Sequence, residues 1–349
     1  MKAMSICAAL AGLALAHDAA ARDQIHIVGS STVFPFATMV AERFAKSGDF
    51  KPPVIESTGT GGGMKLFCAG VGAEHPDIAN ASREITDSEL KSCAANGVTA
   101  ITEIKIGFDG IVIANNTSLP PLDVTLDQLY LALAKEVPNG KSGGAFEATP
   151  TTYQKWSDID PALPRYRITV YGPPPTSGTR DAFMELVMLP GCRAFAGIRA
   201  LQESGADREA RAREVCQTLR DDGGYIEAGE NDELIVQKLE AYPIAFGIFG
   251  YGFLHANADT LQGATINGVQ PTFDSIAGGT YPISRSLYLY VKNANDRSVP
   301  GVREFLAEFT SEEAIGPAGY LVAKGLVPLP PEQRVEARFS AETLKPLTN

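Results

Sequence analysis

Three short segments rich in Ser, Thr and Gly carry the chemistry of this chain. They are Gly29-Ser30-Ser31-Thr32-Val33, Thr58-Gly59-Thr60-Gly61-Gly62-Gly63 and Thr176-Ser177-Gly178-Thr179-Arg180. Each follows a short apolar run of strand character and precedes a run with helical spacing. The first turn of a helix presents unpaired backbone N–H groups and the positive end of the helix dipole. Each segment is therefore a candidate anion site. A lone Ser or Thr in this position commonly serves only as a cap. Three segments of the same chemistry point to one small oxyanion, surrounded by Ser31, Thr32, Val33, Thr60, Gly61, Ser177, Gly178 and Thr179. Glycine lets the backbone approach such a ligand closely, because it has no Cβ. Arg180 directly follows the third segment, and Ser82-Arg83 ends another strand-like run, Asp77 to Ala81. Both arginines are candidates for positive charge at the site. Asp109, in Gly107-Phe108-Asp109-Gly110, is either a turn carboxylate or an acceptor facing the ligand.

Other chemistries lack their residues. No Gly-Lys-Ser/Thr stands at Walker spacing, and there is no Gly-x-Ser-x-Gly elbow and no His-Glu-x-x-His. His26, His75 and His255 are scattered, and no Cys-x-x-Cys occurs. No metal, cofactor or catalytic residue is expected. The net charge of −11 argues against nucleic acid and anionic membranes, which need a basic face. A small anion stays compatible with it, since local donors act inside the screening length.

The elements that must position these loops follow a strand–loop–helix rhythm, which predicts an α/β fold. Gln24 to Val28 and Val54 to Ser57 read as strands. Val33, Phe36, Val40 and Phe44 give one apolar helical face up to about Lys46. Ile101 to Ile104 and Gly110 to Ala114 form two apolar runs, the second leaving a first domain. Leu126 to Ala134 reads as a helix, and Pro138 to Thr151 as a loop. Ile168 to Tyr171 reads as a strand of a second domain, and Ala245 to Tyr251 as a segment returning to the first. The length of 349 residues suits two domains. The expected division is 22–112 plus 246–349 for domain I and 113–245 for domain II.

Residues 1–21 read as a signal peptide. Lys2 is followed by an apolar run from Ile6 to Ala16, and Ala19-Ala20-Ala21 is a small-x-small cleavage site. Cys7 lies inside the apolar run, away from any cleavage point. Export leaves Cys68, Cys93, Cys192 and Cys216, an even set that suggests disulfides. Three pairings are open, and proximity favours Cys68–Cys93 with Cys192–Cys216.

At these residues the chain resembles the periplasmic phosphate-binding proteins of Pst-type ABC transporters. The resemblance is carried by Gly29-Ser30-Ser31-Thr32-Val33-Phe34-Pro35, by Gly59-Thr60-Gly61-Gly62-Gly63-Met64-Lys65 and by Asp77-Ile78-Ala79-Asn80-Ala81-Ser82-Arg83. Ser177-Gly178-Thr179-Arg180-Asp181, Asn231-Asp232 and Ala245 to Tyr251 extend it. It implies the two-domain periplasmic binding protein fold, each domain a sheet flanked by helices, with the ligand in the cleft. By motif match, the phosphate contacts fall on Thr32, Val33, Thr60, Ser177, Gly178 and Thr179. The chain departs from the family where an aspartate accepts the ligand proton, because Arg83 stands there. Pro173 and Pro175 stand where the family has an arginine and an aspartate. An acceptor must then come from elsewhere, and Asp109 is the first candidate, with Arg83 and Arg180 as its counter-charges.

The expected function is extracytoplasmic capture of inorganic phosphate by a monomer without cofactor, for delivery to a membrane permease. The alternatives are a receptor for another tetrahedral oxyanion, such as arsenate, sulfate or molybdate, and a secreted phosphoesterase.

Overall fold

Short apolar runs that end at Gly, Ser or Asn supply the strands. The computed structural model describes residues 22–46, 48–138, 146–148, 153–202, 206–229, 231–296 and 298–347. The expected signal peptide lies outside the described residues. In chain order the strands are β1 (His26–Gly29), β2 (Val54–Ser57), β3 (Ile78–Ala81), β4 (Ile101–Asn116), β5 (Asp123–Val124), β6 (Glu136–Pro138) and β7 (Phe146–Ala148). After them come β8 (Val170–Gly172), β9 (Tyr225–Glu227), β10 (Phe246–Gly250), β11 (Leu261–Gly263), β12 (Thr265–Ile266) and β13 (Ser284–Lys292).

One sheet runs β2-β1-β3-β13-β4-β10-β8-β9, with β11 also paired to β4. The first half of β4, Ile101 to Gly110, pairs antiparallel with β13. Its second half, Ile111 to Asn115, pairs antiparallel with β10. The two apolar runs expected as separate pieces are therefore one strand of 16 residues. Its first half alternates, with Glu103 and Lys105 half-buried between buried neighbours, and its second half is buried from Ile111 to Asn115.

This pairing divides the molecule into two lobes. In the first, β1 is parallel to β2 and β3. In the second, β8 is parallel to both β10 and β9. Phe246 to Gly250 thus pairs inside the second lobe, and the chain crosses back at β13 rather than at 246. The crossing is closed where Ile111 N–H donates to the Ile283 carbonyl at 2.9 Å. The segment expected as a loop from Pro138 carries β7, paired antiparallel with β6.

The helices bury one face each. α1 (Phe34–Lys46) buries Phe36, Ala37, Val40, Ala41 and Phe44, and ends with Arg43 and Lys46 in its last turn, where cations suit the dipole. α2 (Thr60–Phe67) packs Met64 and Phe67 inward, and α3 (Asp87–Ala95) opens with a capping box from Thr86 and Glu89. Among the described residues no helix is long and apolar enough to cross a membrane.

Both expected disulfides are present. Cys68–Cys93 ties the end of α2 to α3, and Cys192–Cys216 ties the helix Leu189–Arg193 to Ala206–Gln217. Each spans about 25 residues, so opening one should cost roughly 2–4 kcal/mol through the freed unfolded chain. Denaturant unfolding with and without reductant reads this, and an unchanged midpoint would contradict it.

Candidate functional site

The three loops reach the cleft between the lobes, and glycines set how closely they come. α2 begins at Gly59, and no side chain caps its N-terminus. A Cβ on Gly63 would lie 2.4 Å from the Cα of Gly29. Only glycine lets the first turn of α2 rest on the end of β1. Thr60 Oγ1 accepts from Ser82 N–H at 3.1 Å and lies 3.0 Å from Ser82 Oγ. Gly59, Thr60 and Ser82 therefore form one wall of the cleft, with two hydroxyls on it. On the first loop, Val33 N–H donates to Ser30 Oγ at 3.4 Å, inside the α1 cap.

The third loop belongs to the second lobe and meets the first loop directly. A Cβ on Gly178 would lie 2.7 Å from Ser31 O and Thr32 Cα. Thr32 Oγ1 donates to the Gly178 carbonyl at 3.2 Å, and Ser31 Oγ donates to Asp181 Oδ2 at 2.6 Å. Ser177 Oγ caps its own helix by accepting from Thr179 N–H at 3.2 Å.

Arg285 occupies the point where these elements meet. It stands at the start of β13, in register with Asp109 on β4. Nε donates to Asp109 Oδ2 at 3.3 Å, Nη1 to Glu185 Oε2 at 2.8 Å, and Nη2 to Thr32 Oγ1 at 2.5 Å. Its side chain is only 9% exposed. Burial pushes the Asp109 carboxyl upward in pKa, and the charge and hydrogen bond of Arg285 pull against that.

The two arginines expected at the site are each held by partners outside the loops. The Arg83 guanidinium grips the Glu89 carboxylate with both Nη atoms, at 2.9 and 2.8 Å, and also donates to the Glu84 carbonyl. Glu89 is fixed by the α3 capping box, and the same guanidinium borders the second loop, its Nη2 lying 4.0 Å from where a Cβ on Gly61 would stand. Arg180 donates to the Pro173 carbonyl at 3.1 Å and lies 4.6 Å over the Tyr225 ring.

Two cavities flank the Thr32–Gly178 contact. The smaller, about 230 Å³, is lined by Ser30, Ser31, Gly59, Thr60, Ser82 and Arg285, with Asp181 and Glu185 on the facing lobe. The larger, about 680 Å³, takes in Thr32, Ser177, Gly178, Thr179, Asp109 and Asp232. The first and second loops thus share the smaller cavity with a guanidinium and two carboxylates, while the first and third share the larger one with Asp109, Asp232 and Lys324.

Asp232 is buried, and its Oδ2 accepts from Gly250 N–H at 3.0 Å. Burial raises its pKa to about 6, the Gly250 hydrogen bond opposes the rise, and nearby Asp109 adds to it. A carboxyl raised in the folded state stabilises below its unfolded pKa and loses that contribution as pH climbs through the folded value. Stability should therefore fall between about pH 4 and 6, by an amount on the order of 3 kcal/mol from this group. Asp232→Asn should flatten that part of the curve in thermal melts across pH, and an unaltered curve would contradict the assignment.

Sequence reasoning missed Arg285 and Glu185, and met Asp181 and Asp232 only as motif residues without a place in the site. Arg285 immediately precedes the strand-like run Ser286 to Val291, and only its pairing with Asp109 shows that it enters the cleft.

The chain matches the PBP superfamily domain over residues 14–313. It is 30% identical over 287 residues to the phosphate-binding protein PstS of Staphylococcus saprophyticus, covering 80% of this chain and 73% of that protein. It is 29% identical over 328 residues to protein SphX of Synechocystis sp., covering 93% and 83%. The crystal structure of a possible phosphate binding protein from Planctomyces limnophilus superimposes with a TM-score of 0.69 at 26% identity, covering 91% and 97%.

Proposed function

The chain belongs to the PBP superfamily and, within it, to the family of the phosphate-binding protein PstS, and from that premise we propose that it is an extracytoplasmic, monomeric receptor for inorganic phosphate that serves an ABC transporter permease. The observation that carries this reading is Arg285, a buried guanidinium in a small cavity whose other wall is the uncapped start of α2.

Phosphate takes the smaller cavity. There Arg285 supplies the charge, and Thr60, Ser82, Ser31 and the Gly61 N–H supply neutral donors. Asp109 orients Arg285 rather than touching the ligand, since its carboxylate is engaged by Nε. Thr32 with Gly178, and Ser31 with Asp181, hold the lobes in contact beside the ligand, and Val33, Ser177 and Thr179 belong to the same two loops. The larger cavity has no guanidinium in its lining, and there the Lys324 amine stands with Asp109 and Asp232. Ligand contacts drawn from both lobes exist only in the closed form, so phosphate adds to whatever holds the lobes together without it, and the permease reads the loaded state. The protein works by binding, without a catalytic step, as the names of its relatives as binding proteins support.

Calorimetry with phosphate, arsenate, sulfate and molybdate tests the reading. Phosphate is expected to bind at one site, and Thr60→Ala to weaken it by roughly 1–3 kcal/mol, the loss of a buried partner to a charged group. No phosphate heat, or an unaltered affinity in Thr60→Ala, would contradict the assignment. Turnover of a phosphate ester with added zinc or magnesium would favour a phosphoesterase instead.

A further inference from the structure

Three groups hold the Arg285 guanidinium, and they differ in origin. Asp109 sits opposite Arg285 on the paired strands β4 and β13, in the first lobe at the crossing. Thr32 belongs to the loop between β1 and α1, in that same lobe. Glu185 alone comes from the second lobe, on the helical segment Met184–Met188 that continues the third loop's helix. Its side chain is 61% exposed. Arg285 and Glu185 both line the smaller cavity. A carboxylate of this chain thus stands on the cation assigned to the ligand.

We propose that Glu185 is a tethered competitor: its carboxylate latches the second lobe onto Arg285 while the cleft holds no anion, and it gives way when phosphate arrives. The proposal rests on the reading that Arg285 faces the ligand. Three physical features support it. The Glu185 pair spans the lobes, so it forms only when they are together. One partner is mostly in water, so the pair is weak and exchangeable. Phosphate offers the guanidinium more acceptor oxygens than Glu185 does, with Thr60 and Ser82 adding hydroxyls from the opposite wall. Asp109 cannot exchange in this way, because strand pairing fixes it and burial denies it water. Glu185 therefore sets a threshold: an anion binds only if its contacts exceed those of the latch, so the apparent affinity is the intrinsic one reduced by the latched fraction.

Glu185→Gln keeps the size of the side chain and removes its charge, and the exposed position makes misfolding an unhelpful explanation of any change. Calorimetry with inorganic phosphate should show binding tightened by about fivefold or more. Small-angle X-ray scattering of the phosphate-free protein should show a larger radius of gyration than wild type, returning toward the wild-type value when phosphate is added. Glu240→Gln, an exposed change on another helix, controls for net charge and should match wild type in both measurements. Unchanged or weaker phosphate binding in Glu185→Gln, with wild-type scattering, would overturn the latch. The scattering arm needs no ligand to reveal opening. If wild type binds no phosphate, the phosphate reading and the competitor role both fail; if wild type binds phosphate and Glu185→Gln changes neither affinity nor scattering, the competitor role alone fails.

Discussion

Arg285→Ala is expected to remove phosphate binding and to destabilise the fold at the same time. Its guanidinium holds Asp109, Thr32 and Glu185 together at the lobe crossing. Truncating it leaves the Asp109 carboxylate buried without its partner, and breaking a buried pair in this way costs about 3–5 kcal/mol. The ligand loses its only guanidinium among the residues lining the smaller cavity, and the loss of one member of a buried charge pair costs binding about 2–5 kcal/mol. Affinity should fall by about a hundredfold or more on that scale. Arg285→Ala combined with Asp109→Asn separates the two effects, because removing the orphaned carboxylate should restore much of the stability and none of the binding. Chemical denaturation and calorimetry on the single and double variants read both. An Arg285→Ala protein that binds phosphate with native affinity would remove Arg285 from the site.

Gly178→Ala is expected to act on closure alone. The added methyl would lie 2.7 Å from Ser31 O and Thr32 Cα, both backbone atoms of the opposite lobe. Neither can give way as a flexible side chain does, so the lobes must separate, at a cost of about 1–3 kcal/mol typical of overpacking. Phosphate affinity should fall about tenfold, while the melting temperature moves little, since the lobe cores do not include this contact. Native affinity with a lowered melting temperature would place the effect in the fold rather than in the closing motion.

The loops were legible because their signal is local. A strand-like run, a Ser/Thr/Gly turn and a helical face lie within about a dozen residues, and the change of period marks the junction. The disulfides were legible for the same reason, each pair lying close in sequence. Arg285 was not legible, because Asp109 and Thr32, which give it meaning, are brought to it by strand order rather than by chain order. Arg83 and Arg180 show the converse. Both adjoin an anion loop in sequence, yet Glu89 captures one, and the Pro173 carbonyl and Tyr225 ring capture the other. Phe246 to Gly250 is likewise apolar enough for either lobe, and only its pairing with β4 and β8 gives it a neighbourhood.

Arsenate is the tetrahedral probe that reports its own position, because arsenic scatters anomalously. A crystal of the protein grown with arsenate tests most directly where the anion sits. The account predicts one anomalous peak in the smaller cavity, within hydrogen-bonding distance of the Arg285 guanidinium and the hydroxyls of Thr60 and Ser82, with the Glu185 carboxylate withdrawn. A peak instead in the larger cavity, against Ser177, Thr179 and Asp232, would contradict it.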